Sequence, residues 1–208
     1  MATGAPLSDP YRAQHKRRLS HMPWLWDALK PRQRQWAGPW QAAIQAELCR
    51  LERVTLGVEG FIAPEAALFA EPHRDIVFGD RFRIAAGVFL HGPIRCGDDV
   101  SLNVGVTIDG GRAGVTIGSD CRIASHVSIY AWNHGIAPSA PVRSQPVTSQ
   151  GVTLGQDVWI GTRACIRDGV TVGDHAVIGM GSVVTRDVPT WAIVAGNPAR
   201  VIGDRREA

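Results

Sequence analysis

An apolar side chain returns at every sixth residue over most of this sequence, and that spacing restricts the fold more than any other feature. The series slips by three residues after Ile108 and is interrupted for longer after Ile129. A period of six fits neither an α-helix nor simple strand alternation. It predicts a coil in which each flat face uses one hexad and stacked coils bury a common core. The positions are Phe78, Ile84, Leu90, Cys96, Leu102, Ile108, Ile117, Ile123, Ile129, Leu154, Ile160, Ile166, Val172, Ile178 and Val184.

Several hexads and the closing stretch resemble the hexapeptide-repeat acyltransferases, especially the galactoside and maltose O-acetyltransferases. The hexads are VTIGSD, VWIGTR and AVIGMG, and the closing stretch is DVPTWAIVAGNPARVI at 187–202. The resemblance covers residues 54–203 and implies an all-β domain, a left-handed parallel β-helix of triangular section with three hexads per coil. The left hand comes from the family, because crossovers between parallel strands are usually right-handed. Residues 204–208 would be a tail.

Polar residues cluster on one corner of this predicted coil. The residue after each apolar position is small in nine cases, seven Gly and two Ala. Residues eighteen apart should stack on one corner, if the slip and the interruption both re-enter on the next face. A polar line on a Gly/Ala framework favours a binding groove, although a solvated or ion-paired corner is the alternative. Five of the six exceptions then share one corner, with Asn103 apart from them: His91, Asp109, Tyr130, Arg167 and Thr185.

The long interruption predicts a protruding loop near 131–150 that carries function. Its prolines, at Pro138, Pro141 and Pro146, predict the absence of regular structure. Long loops on rigid scaffolds often bind substrate or catalyse. His134 lies at the root of this loop, where the resembled family has its general base, although Gly135 replaces the proline that often follows. Attack of an alcohol on a thioester needs a base near neutral pKa, which suits histidine. The alternative is a solvated loop histidine.

The resemblance also implies substrate contacts and an assembly. Asn103 and Asp109 match acceptor-facing positions. The implied activity is direct transfer of an acetyl group from acetyl-CoA to a hydroxyl of a saccharide or similar small molecule, with no metal. The implied assembly is a homotrimer with active sites between subunits. Six residues match contacts to coenzyme A: Trp159, Gly161, Gly179, Thr185, Arg186 and Arg200.

Residues 1–53 differ in kind from the repeat. Seven basic residues and one acid lie between Arg12 and Arg34, and four tryptophans precede residue 41. We expect residues 1–10 to lack regular structure and a helix to open at Pro39. The segment is interpreted as a helical cap over one end of the coil, with acceptor recognition or a membrane-surface patch as alternatives.

Composition restricts the function classes. The chain has 208 residues and a formal net charge of +3, with charges interspersed along the repeat, which argues against a nucleic-acid platform. No apolar run is long enough for a membrane span, and no signal peptide is visible. The four cysteines show no CxxC spacing and are expected to be reduced, buried thiols of a cytoplasmic protein.

Three alternatives to this function remain open. A γ-class carbonic anhydrase would need three histidines on zinc, and His91 and His126 are spaced suggestively although their hexad register differs. A silent scaffold would bind no acyl-CoA. An acetyltransferase could use another acceptor, such as serine, an antibiotic, an amino-sugar nucleotide or a polysaccharide unit.

Overall fold

The computed structural model describes residues 10–207, in which two helices precede a parallel β-helix with three sheets. The helices are α1 (Pro10–His21) and α2 (Pro31–Leu51), joined through a 3-10 turn at Pro23–Trp26. The strands of the first sheet, in spatial order, are β1 (Val54–Leu56), β4 (Ile76–Phe78), β7 (Ile94–Cys96), β10 (Val115–Ile117), β15 (Val152–Leu154) and β18 (Thr171–Val172).

The other two sheets complete the triangular coil. The second sheet contains β2 (Phe61–Ile62), β5 (Arg83–Ile84), β8 (Ser101–Leu102), β11 (Arg122–Ile123), β16 (Trp159–Ile160), β19 (Val177–Ile178), β21 (Ala192–Gly196) and β22 (Ala199–Asp204). The third sheet contains β3 (Ala67–Phe69), β6 (Phe89–His91), β9 (Thr107–Asp109), β12 (Ser128–Tyr130), β17 (Cys165–Ile166) and β20 (Val183–Val184). Neighbouring strands are parallel except for the β21–β22 pair.

The hexad positions form the core, so the predicted β-helix is confirmed. All fifteen are buried, with Cys96 the most exposed at 7%. Burying each aliphatic side chain contributes roughly 1.5–3 kcal/mol. Ile117 pairs with both Cys96 and Leu154, so the chain re-enters on the next face, the first sheet, after the slip and again after the interruption, as predicted. A Cβ on Gly118 would lie 2.6 Å from the carbonyl carbon of Gly155 in the next coil, which explains a glycine at that corner.

The N-terminal helices cover the outer face of the first strands of the second sheet. Trp26 and Trp40 pack on Phe61, at ring-centroid distances of 5.4 and 6.0 Å, and Phe61 is fully buried. Arg83, at an outward position of β5, donates from Nε to Asp27 at 3.1 Å. The helical segment therefore adds a second small core on the outside of the coil.

The prediction that a helix opens at Pro39 is wrong. α2 begins eight residues earlier at Pro31, which occupies the first turn, where a missing N–H costs nothing. Pro39 lies inside the helix and removes one hydrogen bond to the Gln35 carbonyl. Packing of Ala37 and Trp40 against the coil offsets that loss. Residues 1–9, part of the segment expected to lack regular structure, lie outside the described residues, and Pro10 is the first residue of α1.

α2 also closes the open edge of the first coil. Ile62 lies in β2, the first strand of its sheet, so within residues 10–207 its outer backbone groups have no strand partner. The side-chain amide of Gln41 accepts from the Ile62 N–H and donates to the Ile62 carbonyl, both at 2.9 Å. Gln45 donates to the Gly60 carbonyl at 3.1 Å. These amides replace the missing ladder partner, because a buried unpaired backbone group is costly.

The thiols only partly match expectation. Cys96 and Cys121 are buried, and burial raises the pKa of the Cys121 thiol to about 11. The expectation is wrong for Cys49 and Cys165, which are exposed. Cys165 precedes inward-facing Ile166 and so points outward from β17. Within residues 10–207, no helix is both long and apolar enough to cross a membrane.

Candidate active site

The predicted polar corner exists. Backbone pairing aligns His91 with Asp109 and Asp109 with Tyr130, at the ends of three adjacent strands of the third sheet. Arg167 and Thr185 follow the paired residues Ile166 and Val184 in the next two coils. We call these five residues the polar corner. The loop after Ile129 leaves the coil from this corner, so the two features that the sequence singled out separately are adjacent.

A cavity of about 870 Å³ lies where the polar corner meets the root of the loop. His91 and Asp109 line it from the corner, and Trp132 and His134 line it from the loop. Its size is within the range of small-molecule sites. The structure therefore brings the predicted base, His134, and the predicted acceptor contact, Asp109, to one cavity.

Asp109 is held by a network of donors. Its Oδ1 accepts from the Gly111 N–H at 3.0 Å and lies 3.3 Å from His91 Nδ1 and 3.9 Å from Arg74 Nη2. Arg74 also donates to the carbonyls of Gly92 and Gly111, at 2.8 and 2.6 Å. Within residues 10–207, no hydrogen bond is made to Asp109 Oδ2. The carboxylate is thus oriented by one oxygen, and its second oxygen can accept a hydrogen bond from a ligand.

His91 joins this network to a second acid. Its Nε2 lies 3.2 Å from both carboxylate oxygens of Glu71. The hydrogen bond from His91 holds the pKa of the Glu71 carboxyl below its usual range. His91 therefore bridges two carboxylates through its two ring nitrogens, so its role in this structure is to support Asp109.

His134 differs from His91 because its ring is exposed and has no polar partner. Within the described residues, no hydrogen bond or ion pair is made to its imidazole, whose one ring contact is edge-on to Trp132 at 5.1 Å. Its backbone lies in β13 (Asn133–His134), which pairs antiparallel with β14 (Val147–Thr148). An exposed imidazole beside a cavity is free to take a proton from a bound hydroxyl.

The expectation that the loop lacks regular structure is wrong in part. It contains the β13–β14 ladder and a 3-10 turn at Val142–Ser144. The ladder forms because Pro146 precedes β14, so both paired strands are free of proline. Ser149 Oγ accepts from the N–H groups of Arg112 and Ala113, at 3.0 and 2.9 Å. These bonds attach the loop to the segment between Ile108 and Ile117, where the repeat has three extra residues.

The remaining predicted residues lie elsewhere on the coil. Asn103, Gly161 and Gly179 follow paired strands of the second sheet, on the corner at the other side of the third sheet. Trp159 is 55% exposed on the second sheet. Thr185 and Arg186 follow β20, at the C-terminal end of the polar corner. Exposed Arg200 lies in β22. None of these residues lines the cavity.

The packing of neighbouring coils is itself a reason for glycine at position 161. A Cβ at this position would lie 2.6 Å from the Met180 nitrogen in the next coil. Close stacking therefore requires glycine here whether or not a cofactor runs past it.

Several cavity residues were missed by sequence reasoning. His73, Arg74, Arg112, Trp132 and Ser149 all line the cavity. His73 and Arg74 precede the first recognised hexad, yet β1 pairs with β4 in register, so the coil begins earlier than Phe78. Extending the six-residue count back through Leu56, Ile62 and Leu68 would have shown the earlier start of the coil and placed Phe69 beside His91. Arg74 lies between β3 and β4, outside the hexads, so the count assigns it no position.

The zinc alternative has no structural observation in its favour. Among residues 10–207, no three His, Cys, Asp or Glu side chains are grouped so that they could hold a metal ion.

Comparisons with known proteins agree with the fold and place the chain in a family. Residues 151–186 match the bacterial transferase hexapeptide (six repeats) family model. The chain is 34% identical over 139 residues to the putative lipopolysaccharide biosynthesis O-acetyl transferase WbbJ of Escherichia coli, covering 61% of this chain and 70% of that protein. This chain belongs to the hexapeptide-repeat transferase family.

Two further relatives show the range of the family. Galactoside O-acetyltransferase of E. coli is 41% identical over 88 residues, which cover 42% of this chain and 43% of that protein. The match thus spans less than half the length of this relative. AntD, an N-acyltransferase from Bacillus cereus solved with dTDP and 3-hydroxybutyryl-CoA, superposes with a TM-score of 0.68 at 25% identity, covering 77% of this chain and 88% of AntD.

Proposed function

We propose that this protein is an acetyl-CoA-dependent O-acetyltransferase that acetylates a hydroxyl of a saccharide or similar small molecule, with His134 as general base. The observation that carries the proposal is the position of His134, exposed and without a polar partner in residues 10–207, in the wall of the cavity that Asp109 also lines. The O-acetyltransferase names of two relatives support a hydroxyl acceptor.

The chemistry requires a base at this cavity that can accept a proton and return it. His134 accepts the acceptor's hydroxyl proton as the oxygen attacks the thioester carbonyl, and such a base typically contributes about 10²–10⁴ in rate. The carbon–sulfur bond then breaks, and the protonated imidazole can return its proton to the departing thiolate. Asp109 Oδ2 would accept a hydrogen bond from a second hydroxyl of the acceptor and orient it. No covalent enzyme intermediate is needed.

The coenzyme A contacts favour a trimer. Trp159 lies on the second sheet, and Gly161 and Gly179 lie on the corner at the other side of the third sheet from the polar corner, so none of the three lines the cavity of its own chain. In a homotrimer the polar corner of one subunit would face the opposite corner of its neighbour. Asn103 of that neighbour would then approach the acetyl group. The guanidinium groups of Arg186 and Arg200 are exposed and suited to the phosphates of coenzyme A.

The acceptor is tested by measuring coenzyme A release from acetyl-CoA. The panel contains galactosides, maltose, an antibiotic with a free hydroxyl, and serine. It also contains an amino-sugar nucleotide, because AntD is an N-acyltransferase. We expect turnover with a sugar hydroxyl and a saturable thermal stabilisation by acetyl-CoA, of about 2.7 kcal/mol at a hundredfold excess over Kd. Turnover with amines alone would contradict O-transfer, and failure to bind acetyl-CoA would favour the scaffold interpretation.

The cellular location is also part of this proposal. All four cysteines are unpaired, and free thiols persist in reducing compartments. We therefore propose that the enzyme acts in the cytoplasm.

A further inference from the structure

Asp168 is a buried acid that joins the two ends of the catalytic loop. It is 4% exposed and lies in the corner after β17, one coil beyond the point where the loop leaves. Its Oδ1 accepts from the N–H groups of Gln150 and Gly151, at 2.8 and 2.9 Å, where the loop returns. Its Oδ2 accepts from Asn133 Nδ2 at 3.3 Å, where the loop departs.

Other corner aspartates make a simpler contact. Asp80, Asp98 and Asp174 each accept one N–H from the preceding coil, at 2.8, 2.8 and 2.9 Å. None of the three is as deeply buried as Asp168. A buried carboxylate is stable only when donors surround it. The donors of Asp168 come from the loop itself, so its burial depends on the loop root being in place.

The imidazole of His134 depends on this root for its position. Among the described residues no polar group holds its ring nitrogens, so its aim comes from its backbone and from the Trp132 contact. That backbone is fixed by pairing with Val147 and by the side chain of neighbouring Asn133. The bond from Asn133 to Asp168 therefore ties the residue next to His134 directly to the rigid coil.

We propose that Asp168 is a positioning residue for His134, fixing both ends of the loop so that the imidazole is directed into the cavity. This inference rests on the proposed function. Asp168 lies on the coil and lines no part of the cavity, so it acts through Asn133 and the returning strand. Removing it should misplace the base without changing the surfaces proposed to bind acetyl-CoA.

The test compares Asp168→Ala with Asp174→Ala, which removes a single corner contact, to the Gln156 N–H, on another corner of the coil. We expect Asp168→Ala to lower kcat about 10- to 100-fold, because a displacement of about 1 Å can have that effect, with KM for acetyl-CoA unchanged. Asp174→Ala should keep its kcat. Asp168→Asn retains an oxygen for the Gln150 and Gly151 N–H groups and should recover most of the activity. An unchanged kcat in Asp168→Ala, or equal losses in both alanine variants, would overturn the proposal.

Three further measurements separate this inference from the proposed function. His134→Ala combined with Asp168→Ala should be no slower than His134→Ala alone, because Asp168 is proposed to act only through the base that His134→Ala removes. Amide hydrogen exchange across residues 131–151 should accelerate in Asp168→Ala and not in Asp174→Ala. Should Asp168→Ala fail to fold, Asn133→Ala provides the same comparison with a smaller loss of kcat, and wild-type turnover there would count against the proposal. An active His134→Ala enzyme would instead refute the assignment of the base.

Discussion

Backbone hydrogen bonds between coils position the strands of the repeat, whereas side chains position much of the loop after Ile129. Each strand of the coil pairs with the equivalent strands of its neighbours. In the loop, the side-chain amide of Gln145 accepts from the Ala137 N–H at 2.7 Å and donates to the carbonyls of Ala137 and Ala140, at 2.8 and 2.7 Å. The repeat therefore supplies rigidity together with His91 and Asp109, and the irregular segments and the loop supply the other residues of the cavity wall.

The largest stability effect should come from the repeat. Leu102→Ala removes a fully buried side chain from the coil core and should cost about 2–5 kcal/mol, since a cavity is left behind. Ile136→Ala in the loop, at a position that is 84% exposed, should change stability by about 0.5 kcal/mol or less. Urea unfolding of both variants measures the contrast. Equal losses of stability would contradict the claim that the repeat, and not the loop, determines the stability of the protein.

An intermediate loss of stability is expected where α2 meets the coil, because there the Gln41 side chain takes the place of a neighbouring strand. Gln41→Ala leaves the Ile62 N–H and carbonyl without partners and should destabilise the protein by about 1–3 kcal/mol. Gln35→Ala, on the same helix and exposed, is the matched control. Thermal unfolding should separate the two variants. A stability of Gln41→Ala equal to that of its control would mean that the helix does not cap the coil through this amide.

The contacts of Asp157 with His175 and with Arg205, which follows β22, should have the smallest effect on stability. Asp157 accepts from His175 at 3.0 Å and from Arg205 at 2.9 Å. These contacts hold the pKa of the Asp157 carboxyl below its usual range, and the bond from His175 has the larger effect. A depressed carboxyl pKa contributes stability above the unfolded-state pKa that is lost as pH falls through the folded-state value. Because Asp157 is half-exposed, the contribution should be below about 1 kcal/mol.

Asp157→Asn tests this contribution through the melting temperature at pH about 7 and about 3. The variant should be slightly less stable than wild type at the higher pH, and the difference should shrink at the lower pH. A constant difference at both pH values would show that the carboxylate charge is not responsible.

The sequence predicted the structure correctly wherever the six-residue repeat determines it. Burial of every hexad position, the alignment of His91 with Asp109 and the placement of His134 at the loop root all followed from counting residues. Arg74 was missed because it lies in the irregular segment between β3 and β4, and Asp168 because its partners are more than fifteen residues away in sequence. Side-chain contacts across an irregular loop have no period, so a single sequence gives no signal for them.

The separation of the predicted coenzyme A residues from the cavity has a similar cause. A hexad count assigns Asn103 and Asp109 to different corners, yet it does not state which corners meet in an assembly. Trp159 and Thr185 remain predictions for the same reason, because contacts between subunits depend on symmetry that one chain does not contain.

The role of His134 is decided by the kcat of His134→Ala and its Kd for acetyl-CoA, with His21→Ala on α1 as control. We expect His134→Ala to lower kcat by about 10²–10⁴, with acetyl-CoA affinity and thermal stability unchanged. His21→Ala should match wild type in all three. Near-normal acetyl transfer by His134→Ala would contradict the claim that the loop carries the catalytic base.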